Sequence, residues 1–120
     1  MKRRLILSLS LFLWLLAGCA EKKEFTGKAA LLEEDIHGRR VLVVQEISDK
    51  VLQEGPIEKI LEIASRTGEN GNSNGMFFYI DEDTFQKLKT GQTVTATYRG
   101  PAQEALPPKV GADKVEVTAE

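Results

Sequence analysis

In 120 residues the chain has one cysteine and one histidine, and these two scarcities exclude more chemistry than any motif supplies. A single thiol, Cys19, permits no intrachain disulfide and leaves a cysteine-based metal site without its second thiolate. The lone histidine, His37, has no second histidine, cysteine or nearby serine nucleophile with which to complete a metal site or a triad, and beside Gly38 it reads as an exposed turn residue. The sequence therefore predicts no metal and no cofactor. A basic stripe is missing too: 16 basic residues face 18 acidic ones. That balance argues against nucleic acid, whose phosphates demand clustered cations, and against docking on anionic lipid through the domain itself. Nor is there an apolar run of the roughly 20 residues that a membrane-spanning helix needs.

The longest apolar run, residues 5–17 (LILSLSLFLWLLA), follows the positive cluster Lys2-Arg3-Arg4 and has the length of a signal-peptide core. The polar and aromatic residues that would turn Arg3-Arg4 into a twin-arginine export signal are absent, so the pair reads as plain positive charge. An ordinary secretory peptide would end in Ala-x-Ala and release the protein. This run ends Leu16-Ala17-Gly18-Cys19 instead, and in that it resembles the lipobox of bacterial lipoproteins at every position. The resemblance implies a diacylglyceryl group on the Cys19 thiol, cleavage between Gly18 and Cys19, and a protein held on the extracytoplasmic face of the bacterial cell membrane. Two acyl chains, at about 0.8 kcal/mol per buried CH₂, make such an anchor effectively permanent. The expected division is a lipoprotein signal peptide over residues 1–18, a lipidated cysteine and tether over 19–24, and a β domain over 25–120. Loss of the first 18 residues removes three basic side chains and no acidic one, which takes the net charge to about −5.

After the tether the pattern is mainly β. Residues 25–34 read as a first strand, with Gly27 allowing a bend or bulge, and residues 39–47 (RRVLVVQEI) read as a central strand after a turn at Asp35-Ile36-His37-Gly38. Residues 48–75 interrupt this pattern. Within them Pro56 stands where a first helical residue would, and Ile57, Ile60, Leu61 and Ala64 recur at helical spacing, which predicts one amphipathic helix of about three turns. Met76-Phe77-Phe78-Tyr79-Ile80 follows as a strand, and Asp81-Glu82-Asp83-Thr84 opens a short helix that ends at Thr90-Gly91. Residues 93–99 alternate, with Val94, Ala96 and Tyr98 facing inward. Residues 100–112 form a crossing loop, turned at Gly100-Pro101 and extended at Leu106-Pro107-Pro108, and Lys114-Val115-Glu116-Val117-Thr118 is the last strand. Five strands with a helix between the third and fourth is the element order of the oligonucleotide/oligosaccharide-binding fold, a small five-stranded Greek-key barrel.

The lipobox, a TGxxxLxE opening strand, RRVLVV, FYIDEDTFQKLKTGQTVTATYRG and a closing PxKxGAxKVEV together resemble the YobA-like lipoproteins of Gram-positive bacteria, a domain of unknown function. Where that family has a serine before the first proline of the crossing loop, this chain has Glu104-Ala105-Leu106-Pro107. The resemblance implies a fold and an address, and carries no activity.

Three features carry candidate chemistry. Asn70, Asn72 and Asn74, with Gly75 and then Asp81, imitate the spacing of a calcium loop, but asparagines replace the carboxylates and a strand follows where that motif needs a helix. The acidic clusters Glu33-Glu34-Asp35 and Asp81-Glu82-Asp83 read chiefly as a helix cap and a solvated face, and alternatively as general acid/base residues. Phe77, Tyr79 and Tyr98 are candidate ligand-binding residues, an aromatic face suited to a sugar or a protein segment, set against a reading as ordinary core and edge aromatics. The expectation is a non-catalytic, membrane-anchored binding module whose partners are the membrane, through Cys19, and another envelope protein or a wall polymer. The alternatives are an envelope hydrolase and a structural or assembly factor without a small ligand.

Overall fold

A computed structural model describes residues 22–68 and 72–119. The signal segment, Gly18, Cys19 and Asn70 lie outside the described residues. The elements run β1 (Lys22–Asp35), β2 (Gly38–Val44), α1 (Asp49–Glu54), α2 (Ile57–Ala64), β3 (Gly75–Ile80), α3 (Glu82–Lys87), β4 (Thr93–Arg99) and β5 (Lys109–Ala119). The strands close into a barrel in the order β1-β2-β3-β5-β4, with β4 returning to β1. Only β3 and β5 run parallel. The fold is mainly β and has the strand order expected from the sequence.

Closure depends on β1, which is long enough to serve two neighbours. Residues 22–28 pair with β4 and residues 28–35 pair with β2. The register slips by one residue between Ala29 and Leu31. This bulge changes which face each side chain takes: Phe25 and Ala29 point into the barrel, whereas Ala30 joins the outer layer. Gly27 is not the bulge. A Cβ there would meet the Val44 carbonyl, so glycine is required for the close passage of β1 over the end of β2.

The barrel is filled by Phe25, Ala29, Val41, Val43, Met76, Phe78, Leu88, Val94 and Ala96. Phe78 sits at its centre, with ring centres 5.8 Å from Phe25 and 5.5 Å from Tyr98. A second apolar layer lies outside β2 and β3, where Leu42, Val44 and Phe77 meet Ile60, Ile63 and Ala64 of α2. Residues Val41 to Val44 are therefore buried on both faces. This double burial explains why they read as a continuous apolar run and not as an alternating one.

The insertion differs from the single helix predicted. Gly55 and Pro56 divide it into α1, capped by the Ser48 hydroxyl accepting from the Val51 amide at 3.3 Å, and α2. The buried face of α2 is also turned from the expected one: Ile63 joins Ile60 and Ala64, while Ile57 is 56% exposed. Close approach to the barrel sets this rotation. A Cβ at Gly75 would stand 2.9 Å from the Cα of Ala64, so a glycine at the start of β3 lets α2 lie directly on the strand. The tether boundary moves as well, because Lys22, Lys23 and Glu24 already pair with Arg99, Tyr98 and Thr97.

Candidate functional site

The main concavity is a cleft of about 820 Å³ at the barrel mouth where β1 begins and β4 ends. Its floor is the exposed end of the barrel core, Phe25, Met76 and Tyr98. Amides and hydroxyls form part of the rim: Gln45 just after β2, Asn72 and Ser73 just before β3, and Gln103 in the crossing loop. Lys23, Glu24 and Glu104 add charge. The crossing loop is pinned at its base. The Gln103 amide donates to the Lys109 carbonyl at 2.7 Å, and the Pro108 carbonyl accepts from the Phe77 amide at 2.8 Å. Within this held loop Leu106 is 80% exposed. Tyr98 is half-buried, and desolvation raises its phenol above the usual tyrosine range. An aromatic and aliphatic floor beneath neutral polar groups can hold a ligand by stacking and fix its orientation by hydrogen bonds.

The three aromatics proposed from sequence do not form one face. Phe77 and Tyr79 point outward from β3 and Tyr98 lies against the barrel interior, as the two-residue period of strands requires. Of the outward pair, Phe77 is 3% exposed beneath α2. Tyr79 stands at the β1–β2 hairpin end, where its hydroxyl donates to Asp35 Oδ2 at 3.4 Å and its ring meets His37 edge-on at 6.5 Å. The β2–β3 surface that these barrels commonly use for ligands is thus occupied by the chain's own insertion.

Of the acidic residues singled out in the sequence, Glu33, Glu34, Asp35 and Asp81 are engaged elsewhere. Arg40, which stacks 3.9 Å from the Phe77 ring centre, donates from Nε to Glu33 Oε1 at 2.8 Å and lies 3.5 Å from Asp35 Oδ2. Desolvation works to raise the Asp35 pKa, but the His37 amide, donating at 2.7 Å, and the Arg40 charge outweigh it and hold the carboxyl below its usual range. Glu34 pairs with Arg39 at 3.5 Å. Asp81 is the N-cap of α3, accepting from the Thr84 amide at 2.8 Å, and its bonds to Thr84 lower its pKa.

The imitation calcium loop has other work. Asn74 is 6% exposed, and its side chain accepts from the Glu46 amide at 2.9 Å while donating to the carbonyls of Glu46 and Ile63 at 2.9 and 3.1 Å. It ties the end of β2 to the end of α2 through these three bonds. Among the described residues, no three histidine, cysteine or acidic side chains are grouped to hold a metal.

The cleft residues Glu24, Gln45, Ser73, Gln103 and Glu104 were not singled out in the sequence, because they come from separate segments with no common spacing. A comparison with curated proteins finds no match. The family model for a protein of unknown function, DUF3221, matches residues 35–119, from the end of β1 through β5, and the chain belongs to that family.

Proposed function

We propose that this protein is a lipid-anchored lipoprotein of the bacterial envelope, of the YobA-like kind, whose barrel binds a wall polymer or a segment of another envelope protein in the mouth cleft without catalysing a reaction. The observation that carries this reading is the sequence of a lipobox at Cys19 followed, three residues later, by a barrel with an aromatic-floored, amide-rimmed cleft. Its non-catalytic character is supported by the engagement of Glu33, Glu34, Asp35 and Asp81 in ion pairs and a helix cap.

A photoreactive residue at Gln103 in cells tests the binding. Crosslinks to an envelope protein or to wall material from position 103, and not from Ile36 at the far hairpin, are the expected result. Equal labelling from both positions, or none from either, would overturn it. The hydrolase reading has one observation in its favour, the presence of both Glu24 and Glu104 in the cleft. It requires purified protein to cleave wall fragments and Glu104→Gln or Glu24→Gln to abolish that cleavage.

A further inference from the structure

We infer that the cleft end of the barrel lies flat against the phospholipid bilayer, with the Leu106 side chain seated among the lipids. The inference rests on lipidation of Cys19 and adds to it an orientation and a contact surface.

The argument starts from the length of chain between anchor and fold. Lys22 is already a strand residue paired with Arg99, so only Ala20 and Glu21 separate the folded domain from Cys19. Three Cα steps of 3.8 Å span about 11 Å at most. The polar layer of a bilayer leaflet takes up about 6 Å of that span, so the start of β1 is held within a few ångströms of the membrane surface. Whatever surrounds Lys22 must then face the lipid. The strand next to it ends at Arg99, and the crossing loop leaves from that point. Leu106 in that loop and Lys23 in β1 border the same cleft.

Among the described residues Leu106 is one of two large apolar side chains that stand almost wholly in solvent, the other being Ile36 at 95% exposure. The two occupy different ends of the fold. Ile36 lies in the hairpin turn after Asp35, at the far end of β1 from Lys22. An apolar side chain on a loop pinned at its base, beside a short tether, inserts into the interface without rearrangement of the barrel. Lys23 borders the same cleft, but so do Glu24 and Glu104, so the contact rests on Leu106 and the short tether and not on charge. A cleft held in this way opens at the level of the lipid headgroups, and its ligand arrives along the membrane plane.

The sole tryptophan, Trp14, lies in the segment removed on processing. Leu106→Trp and Ile36→Trp therefore each provide a unique fluorophore in the processed lipoprotein. Each variant is reconstituted in vesicles of phosphatidylglycerol and phosphatidylethanolamine, with and without brominated acyl chains. The expected result is a blue-shifted emission from Leu106→Trp, quenched at least twofold by the brominated lipid, and an unquenched, water-like emission from Ile36→Trp. A form with six extra flexible residues between Ala20 and Lys22 should lose part of the quenching. Intact mass shows whether Cys19 carries its lipid. An unlipidated protein overturns the proposed function and this inference together. A lipidated protein with Leu106→Trp unquenched, or quenched no more than Ile36→Trp, overturns the orientation alone.

Discussion

The outer face of β2 and β3 and the barrel mouth are two surfaces that the same strands make available, and the chain treats them in opposite ways. On the outer face, Phe77 lies under α2 and against the Arg40 guanidinium, which in turn pairs with Glu33. At the mouth, Phe25, Met76 and Tyr98 border an open cleft, and among the described residues no helix covers them. Barrels of this fold commonly bind ligands on the first surface. Here an insertion between β2 and β3 has converted that surface into a second core, and the open cleft lies at the mouth instead. The difference teaches that the strand order does not decide which face stays open; the connections do.

The sharpest way to break this contrast is Phe77→Ala. If Phe77 belongs to a second core, the substitution lowers unfolding free energy by about 3–5 kcal/mol, the usual cost of emptying a buried phenylalanine site. Denaturant titration measures it, and a loss under about 1 kcal/mol would return Phe77 to the list of ligand-binding residues. Asn74→Ala comes next. It strands the Glu46 amide that Asn74 satisfies, with an expected cost of about 1–3 kcal/mol, and it should increase amide hydrogen exchange in α2 before it does so in β4.

A smaller effect concerns the hairpin end of the covered face. The Asp35 carboxyl is lowered in the folded protein, so the folded state binds its proton less readily than the unfolded state does. The resulting stability is fully present above the unfolded value of about 4 and is lost as pH falls through the lower folded value. Acid unfolding monitored by circular dichroism should therefore show a shallower decline below about pH 4 for Asp35→Asn than for the parent. The smallest effect on stability belongs to the mouth. Gln103→Ala should change unfolding free energy by no more than about 0.5 kcal/mol, since the bonds that pin the loop there come from the backbone. It should nonetheless weaken capture of the cleft ligand, separating recognition from folding.

Much of the architecture was legible in the residues. The β-branched run at Val41 to Val44, the turn glycine Gly38 and the threonine alternation of residues 93–98 each state a local preference that the barrel obeys. The aspartate cap of α3 was legible for the same reason, since capping is a contact three residues long. The early start of β1 was not. Lys22, Lys23 and Glu24 have no strand-like composition and are extended because β4 offers them partners. Nor was α1, whose Asp49-Lys50-Val51-Leu52-Gln53-Glu54 holds too few apolar residues to display a period. The fate of Phe77 was half legible: alternation gives its face, but only tertiary packing reveals that α2 covers it. The cleft was hidden most completely, because Glu24, Ser73, Tyr98 and Gln103 come together only when the barrel closes.

One property of β1 extends to mechanics. Its first seven residues each pair with β4, beginning at Lys22, and antiparallel hydrogen bonds lie across the strand direction. A tug entering at Lys22 along the strand axis, with the opposite end of the barrel held, strains this ladder in shear and loads its rungs together, so that no rung is peeled away first. The strand that closes the barrel is thereby also a grip, suited to resisting a pull along its own axis.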